Sequence, residues 1–306
     1  MAELPSQDDV NTDFARQPTA TPAWLRLMRP RQWSKNLLVF AALIFANRLL
    51  SMDSVGLALM GFASFCLASS SAYLVNDLLD VERDRLHPTK RRRPIAAGEI
   101  TTSAAIVLIL ILTVSSFAIA AWIGWMFAAV VVTYVVQVHF YSMIGKHVVI
   151  LDAMLIAAGF VLRAVGGAVA IDVPSSNWFV LCTFFAALFL ALTKRRAEKL
   201  ALRGEAIKTR SVLEQYTDST LAAYTAAAIA ATTISYALYV ISASTLYPRL
   251  PLTVPFVVFA VFRYYHVVET AGLGEKPEDV FVEDRPFQIG VIAFAVAALA
   301  ALYLGA

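Results

Sequence analysis

Asp77, Asp80 and Asp84 form the most chemically informative pattern in the chain, directly after an apolar run from 56 to 75. Their spacing predicts three carboxylates on one face of a helix, within about 10 Å of axial rise. Carboxylates held this close repel one another unless a cation lies between them, and carboxylate oxygens suit a hard divalent cation such as Mg²⁺. We therefore predict a metal site at a membrane surface, suited to an enzyme that handles diphosphates.

The same segment has a simpler interpretation, a solvated helix end where Arg83 and Arg85 form surface ion pairs of little energetic value. We favour the metal site because Asn76 and Asp77 still belong to the apolar helix. Ionisable side chains at membrane depth are costly and usually functional. Asn76 would add an amide oxygen to the metal or donate a hydrogen bond to the substrate.

Four consecutive cations, Lys90 to Arg93, follow the aspartates and lie between two prolines, so this segment is not predicted to be a regular helix. The planar guanidinium group suits bidentate contact with phosphate. We predict that Lys90 and Arg93 bind substrate phosphate beside the metal. The alternative is a positively charged anchor that contacts lipid headgroups.

Further basic residues lie where apolar runs begin or end. Lys35 and Asn36 enter the first apolar run, where polar side chains need partners that a phosphate would supply. Lys35 is also long enough to reach the headgroups instead. Lys194 and Arg195 continue the sixth run, and the sequence leaves open whether they form a second anion site or only mark membrane topology.

Arg163 lies inside a predicted span, close to Gly159, Gly166 and Gly167, which allow neighbouring helices to approach closely. An arginine at this depth faces protein or a cavity and has a partner. Asp152, about three turns away on the same face, is one candidate partner, and a substrate phosphate is the other.

A membrane fold must position these residues. The chain has 306 residues, of which 59% are hydrophobic and 15% charged, whereas a soluble domain carries about 25% charged residues. We predict an all-α, polytopic membrane protein with nine transmembrane helices and a polar cavity that faces the cytoplasm. The predicted spans centre on Asn36–Leu50, Val55–Val75, Thr102–Ala121, Trp125–Tyr141, Val149–Ile171, Trp178–Thr193, Leu221–Ser242, Leu252–Val268 and Gln288–Leu304.

The ends and the cysteines add little. Residues 1–22 are polar, without the apolar stretch of a signal peptide, and are predicted to form a disordered cytoplasmic tail. Residues 23–306 are predicted to form a single membrane domain. Cys66 and Cys182 lie in apolar runs and indicate neither a disulfide nor a metal site.

The basic residues predict the orientation in the membrane. If the N-terminus is cytoplasmic, Arg48 and Arg249 fall outside and Arg163 within a span, while every other residue of the 25 Lys and Arg falls inside. This distribution follows the positive-inside rule. It places the aspartates on the cytoplasmic side of the cell membrane, where phosphorylated metabolites and Mg²⁺ are available.

The motif Asn76-Asp77-x-x-Asp80-x-x-x-Asp84 resembles the first Asp-rich motif of the UbiA superfamily of intramembrane prenyltransferases. Nearly the whole chain is similar to the decaprenyl-phosphate phosphoribosyltransferase branch of that superfamily. The segments that carry the resemblance are Arg29–Asn36, Tyr73–Asp84, His87–Arg91, Arg93–Gly98, Lys194–Arg195, Gly274–Asp279 and Asp284–Arg285.

Ordinary prenyltransferases of the superfamily carry a second Asp-rich motif after helix six, where this chain has Lys194-Arg195-Arg196. One acidic and one basic site suit a Mg²⁺-diphosphate together with phosphates that bind without metal. The resemblance implies transfer of 5-phosphoribose from 5-phosphoribosyl 1-diphosphate (PRPP) to a polyprenyl phosphate in the synthesis of cell-envelope glycan precursors. It implies Mg²⁺ on the catalytic Asp77, Asp80 and Asp84, and substrate contacts from Lys35, Asn36, Asn76, Lys90, Arg93, Arg163, Lys194 and Arg195.

Two other functions stay open on the sequence. A prenyltransferase acting on an aromatic acceptor fits the first motif, but the missing second acidic motif argues against it. A membrane transporter or lipid carrier would use charges at mid-depth, whereas here the polar residues concentrate on one membrane face, apart from Arg163. No nucleic-acid partner is expected, and the oligomeric state stays open, a homo-oligomer included.

Overall fold

The computed structural model describes residues 21–87, 90–201, 211–271 and 277–303, and these residues are helical with no strand. The predicted tail, 1–22, lies almost wholly outside the described residues, as do 88–89 and 274–276 of the segments that carry the resemblance. The elements in chain order are α1 (Ala23–Met28), a 3₁₀-helix (Pro30–Phe40), α2 (Ala41–Phe45), α3 (Met52–Leu79), α4 (Val81–Leu86), α5 (Thr102–Ile123), α6 (Trp125–Met143), α7 (Leu151–Ala170), α8 (Asn177–Ala201), α9 (Ser211–Gln215), α10 (Asp218–Ala243), α11 (Val254–Ala271), α12 (Pro277–Glu283) and α13 (Arg285–Tyr303).

Eight of the described helices are long and apolar enough to cross a membrane: α3, α5, α6, α7, α8, α10, α11 and α13. The prediction of an all-α polytopic membrane protein is therefore confirmed. The first of the nine predicted spans, Asn36–Leu50, is instead a 3₁₀-helix followed by the short helix α2, so the described residues contain eight such spans and not nine. Runs of 3₁₀-helix this long are uncommon, and contacts with neighbouring helices hold this one in place.

Consecutive spans alternate in direction, which brings the polar connections together. The chain leaves α3, α6, α8 and α11 at the same end of the bundle, and it enters α5, α7, α10 and α13 there. Ion pairs between distant segments tie this end together, including Arg26 with Glu99 and Arg196 with Glu269. We call it the polar end.

Side chains of the 3₁₀-helix attach it to α3 by polar bonds. The indole nitrogen of Trp33 donates to Ser70 Oγ over 3.0 Å, and Asn36 Nδ2 donates to Ser69 Oγ over 3.3 Å. Ser70 in turn donates to the Met28 carbonyl over 2.7 Å. Trp33, which sits at a position typical of an interfacial anchor, thus also fixes the entry of the chain into the bundle.

Gly167 on α7 permits the closest approach to the 3₁₀-helix. A Cβ atom at this position would lie 2.0 Å from the Val39 carbonyl oxygen, which is backbone and has no rotamer to change. Gly56 on α3 is the contrasting position, because a Cβ there would meet no atom within 4 Å. In lipid, helices associate through close packing because the hydrophobic effect does not drive them together, and small residues permit that packing.

We expect Gly167→Ala to lower the melting temperature of the detergent-purified protein, because overpacking of this kind costs about 1–3 kcal/mol. Gly56→Ala is the matched control and should leave the melting temperature unchanged or raise it, since alanine favours helix by about 1 kcal/mol. Equal melting temperatures for the Gly167→Ala variant and the parent would contradict the close packing.

Candidate active site

The three aspartates lie at a junction between two helices. α3 ends at Leu79 and α4 begins at Val81, with Asp80 between them. Backbone hydrogen bonds continue across the junction, from Asp80 N to Asn76 O at 3.0 Å and from Asp84 N to Asp80 O at 2.8 Å. The segment is therefore close to helical, although it is two helices and not the single helix that the spacing predicted.

Asp77 and Asp84 are both 3% exposed, and they converge on one cation. Arg93 Nη1 donates to Asp77 Oδ1 over 2.9 Å and to Asp84 Oδ2 over 2.6 Å. Positions seven residues apart lie on the same face of a helix, which explains why both carboxylates reach the same nitrogen. The predicted proximity of Arg93 to the aspartates is thus present.

Arg29 is the second cation of this cluster, and it was not among the substrate residues predicted from the sequence. Its Nη2 donates to Asp77 Oδ1 over 2.6 Å, and its guanidinium carbon lies 4.9 Å from the centre of the Tyr73 ring. Arg29 adopts the left-handed conformation, with φ of 53°, where α1 ends. Arg29 is the first residue of Arg29–Asn36, a segment shared with the phosphoribosyltransferase branch, and this was the signal that could have found it.

Among the described residues, Asp80 forms an ion pair with neither of the two arginines that contact Asp77. It lies 3.7 Å from Arg83, whose side chain is exposed, and is itself partly exposed. Among the residues that the structure describes, no three His, Cys, Asp or Glu side chains are grouped to hold a metal ion. The predicted role of Asp80 as a metal ligand stays a prediction.

Asp77 and Asp84 nevertheless fit a divalent cation. One oxygen from each carboxylate contacts the same nitrogen of Arg93, so both oxygens point at one position that a cation already occupies. Mg²⁺ prefers oxygen ligands and usually takes one or two protein carboxylates, with waters and substrate phosphates completing its shell. The two residues supply that number of carboxylates.

Asn76 and Asp80 line a second feature, a cavity of about 370 Å³ that we call the Asp80 cavity. Its other side comes from the connection between α6 and α7, which contributes Lys146 and His147. Lys146 forms no ion pair within the described part of the chain. Lys146 and His147 were not among the site residues predicted from the sequence, because only the fold brings this connection to the end of α3.

Arg163 is buried, and it does not pair with Asp152, which was one of its two candidate partners. Its Nε donates to Asn36 Oδ1 over 2.6 Å, and its Nη2 donates to the Tyr134 hydroxyl over 2.7 Å. Nη1 donates to the Gly159 carbonyl over 2.7 Å. Asn36 and Arg163 therefore join the 3₁₀-helix to α7, and their predicted substrate contacts stay predictions.

Asp152 instead pairs with Arg195, in a network that is buried at the start of α7. Arg195 Nε donates to Asp152 Oδ2 over 2.7 Å, and Arg195 Nη1 donates to Glu198 over 2.8 Å. The Tyr216 hydroxyl donates to Asp152 Oδ1 over 2.9 Å. Burial raises the pKa of Tyr216, which keeps its hydroxyl protonated as a donor.

Three other basic residues in the described part of this segment are also paired with acids. Lys194 lies 4.0 Å from Glu198, Arg196 Nη2 donates to Glu269 over 2.7 Å, and Lys199 lies 3.5 Å from Asp218. The geometry therefore gives this basic segment a structural role, in which it holds α7, α8, α10 and α11 together. A phosphate contact from Lys194 or Arg195 stays a prediction.

Lys35 and Lys90 complete the set of predicted substrate residues. Lys35 is half-buried on the 3₁₀-helix, and Lys90 is exposed three residues before Arg93. Their contacts with phosphate stay predictions.

Asp284 belongs to the last of the segments shared with the phosphoribosyltransferase branch, and it stabilises the start of α13 at the polar end. Arg263 Nη2 donates to Asp284 Oδ2 over 2.7 Å, and the Phe287 amide donates to Asp284 Oδ1 over 2.8 Å. The hydrogen bond from Arg263 lowers the pKa of the Asp284 carboxyl below its usual value. The carboxylate thus caps the first turn of α13.

Comparison with known proteins gives a consistent picture. The profile of the UbiA prenyltransferase family matches residues 37–278. The decaprenyl-phosphate phosphoribosyltransferase of Mycolicibacterium smegmatis is 36% identical over 308 residues, which cover 94% of this chain and 96% of that protein. The protein of the same name from Mycobacterium tuberculosis is 34% identical over 304 residues, which cover 97% of this chain and 100% of that protein.

A solved structure shares the fold. The UbiA homolog from Archaeoglobus fulgidus bound to GPP and Mg²⁺ superposes with a TM-score of 0.71 and 21% identity, covering 92% of this chain and 99% of that chain. An identity this low supports similarity of fold alone.

We expect Arg195→Met to reduce the melting temperature strongly, because removing one partner of a buried ion pair costs about 3–5 kcal/mol. Lys194→Met is the matched control, since Lys194 is 39% exposed and its ion pair is long, so its melting temperature should stay close to that of the parent. The measurement is thermal unfolding in detergent. An Arg195→Met protein that unfolds like the parent but binds PRPP more weakly would contradict the structural role.

Proposed function

Because the chain belongs to the UbiA prenyltransferase family, we propose that it is a membrane phosphoribosyltransferase that moves 5-phosphoribose from PRPP to a decaprenyl-type polyprenyl phosphate. Diphosphate is the second product. The observation that carries the proposal is the convergence of two buried carboxylates and two arginines at the polar end, through Asp77, Asp84, Arg29 and Arg93. The two relatives named decaprenyl-phosphate phosphoribosyltransferase support the same proposal over nearly the full length of the chain.

Asp77 and Asp84 would hold Mg²⁺, and the ion supplies charge stabilisation for the diphosphate that leaves C1 of the ribose. The two guanidinium groups that contact these carboxylates are in place to bind the oxygens of the donor's phosphates. Arginine suits this task because its donors form a rigid fork that matches phosphate. PRPP carries a diphosphate and a 5-phosphate, which gives both cations a ligand.

The attacking group is an oxygen of the lipid phosphate. It forms the new bond to C1 as the bond from C1 to the diphosphate oxygen breaks, so one phosphate ester is made and diphosphate leaves. A phosphate monoester is ionised at neutral pH, with a second pKa of about 6, so the reaction needs no strong protein base. This agrees with a centre built from carboxylates and guanidinium groups.

The cytoplasmic side is the proposed location of this site. Of the basic residues that the structure describes, nearly all belong to segments at the polar end, as the positive-inside rule requires of a cytoplasmic face. PRPP is a soluble phosphorylated sugar, so a site that opens to the cytoplasm meets its donor there, while the lipid arrives from the bilayer.

The basic segment after the sixth span argues against prenyl transfer to an aromatic acceptor. Enzymes with two acidic motifs hold metal at both, but here the carboxylates near Lys194 and Arg195 are used in ion pairs with basic side chains. A single metal-binding centre at the first motif would suit PRPP, whose 5-phosphate would bind without metal.

We expect Asp77→Asn and Asp84→Asn each to reduce the transfer of label from radioactive PRPP into extractable lipid by at least about 100-fold, because each removes a charged metal ligand. The assay uses membranes supplied with Mg²⁺ and a polyprenyl phosphate. Asp53→Asn is the matched control, because Asp53 is exposed on the same helix at the opposite end. Full Mg²⁺-dependent transfer by the Asp77→Asn or Asp84→Asn protein would refute the assigned metal ligands.

A further inference from the structure

A second cavity lies deeper in the bundle than the Asp80 cavity. It has a volume of about 220 Å³ and lies between α3, α5 and α6. Its walls are largely apolar and include Val75, Ile109, Phe117 and Val135. We call it the α5 cavity.

The two cavities follow the same helix faces. On α3 the α5 cavity is lined by Ala68, Ala72 and Val75, and the Asp80 cavity by Leu79 and further residues towards the helix end. Steps of three or four residues keep side chains on one face of a helix, so these residues form a continuous stripe.

α6 shows the same continuity from the other side. Val135 and His139 line the α5 cavity, and Ser142 and Met143 line the Asp80 cavity. The spacing is again three or four residues, so both cavities lie along one boundary between α3 and α6. We call this boundary, with its two cavities, the α3–α6 seam.

The part of the seam formed by the Asp80 cavity is chemically suited to an anion. Two carboxylates line it, but Arg83 lies 3.7 Å from Asp80 and Arg85 Nη1 donates to Glu82 over 2.8 Å. Lys146 is in contrast unpaired among the described residues, so its charge is the uncompensated one. An anionic group beside Lys146 would restore neutrality.

The part of the seam formed by the α5 cavity is suited to a hydrocarbon chain. The hydroxyls of Ser71 and Thr113 lie 2.7 Å apart and bond to each other, and Ser116 bonds in the same way to Ser64 on α3. These polar atoms are therefore satisfied within the protein and require no polar ligand. What remains available is the apolar surface of Val75, Ile109 and Phe117.

We propose that the α3–α6 seam binds the acceptor lipid, with its phosphate beside Lys146 in the Asp80 cavity and its first isoprene units in the α5 cavity. The assignment rests on the proposed function for the identity of the lipid, a polyprenyl phosphate. Asn76 lines the seam and the adjacent Asp77 binds the proposed metal, so the seam brings the lipid phosphate next to the donor. Charge at one end and apolar walls at the other match this amphiphile.

Photo-cross-linking with a diazirine-bearing short isoprenyl phosphate tests the site on the unmodified protein. The label should map by mass spectrometry to α3, α5 and α6, and a polyprenyl phosphate should compete it away. Label confined to other helices would overturn the proposal. Equal competition by an anionic phospholipid would also overturn it, because the seam would then be a general lipid surface.

Tryptophan substitutions at neighbouring positions provide matched pairs. Ile109→Trp and Val135→Trp fill the α5 cavity, whereas Leu110→Trp and Val136→Trp place the same side chain on exposed outer faces of the same helices. We expect the first pair to lose at least about tenfold in labelling, which is about 1.4 kcal/mol of binding. PRPP binding should be unchanged in all four variants. Equal labelling across both pairs would contradict the assignment.

The headgroup is tested by charge. Lys146→Met should weaken competition by the polyprenyl phosphate and leave the weaker competition by the corresponding uncharged alcohol unchanged, and Lys146→Arg should restore the preference for phosphate. Equal loss for phosphate and alcohol would mean that Lys146 acts only through structure, against the proposal.

Binding and turnover separate the two proposals. If the seam is labelled but PRPP supports no transfer, the proposed function fails while the lipid site stands. If PRPP-dependent transfer occurs and the label maps elsewhere, the lipid site fails while the function stands.

Discussion

A guanidinium group held between two buried carboxylates is the interaction on which the polar end of this bundle depends. Asp77 and Asp84 are almost fully removed from water, and Arg93 contacts both. Two uncompensated ionised carboxylates at this depth would be very costly, so a cation beside them stabilises the polar end. Arg93 and Arg29 serve in the structure described here, and a divalent cation with its phosphates would serve in the catalytic state.

This constraint explains the unusual first segment. Arg29 reaches Asp77 because α1 ends there and the chain turns into the 3₁₀-helix, which Trp33 and Asn36 attach to α3. Arg163 then attaches the same element to α7. Arg163, inside the membrane, thus helps to position Arg29 at the membrane surface. The close approach at Gly167 allows the backbone of α7 to contact the backbone of the 3₁₀-helix.

The basic segment after the sixth span has a structural role in this bundle. Arg195 pairs with Asp152 and Glu198, so the segment contributes rigidity where two-motif relatives are expected to hold metal. The acidic chemistry is then concentrated at the end of α3. That division suits a soluble donor at one site and a lipid at a neighbouring one.

Much of the fold followed from the sequence, because apolar runs and basic connections report directly on membrane spans and topology. The pairing of Arg93 with the aspartates was also within reach, since the residues are close in sequence. The partners of Arg163 and Arg195 were not, because several acids lie at suitable spacing and only packing selects among them. The break between α3 and α4 at Asp80 was not within reach either, because ideal periodicity does not predict where a helix ends.

The mass of the lipid product tests the central claim most directly. Purified protein should be incubated with PRPP, Mg²⁺ and a mixed pool of polyprenyl phosphates, and the extracted lipids analysed by mass spectrometry. The account predicts products heavier than their polyprenyl phosphates by one phosphoribosyl group, with release of diphosphate. Unchanged lipid masses with PRPP, together with transfer of a prenyl group from a prenyl diphosphate to an aromatic acceptor, would contradict it.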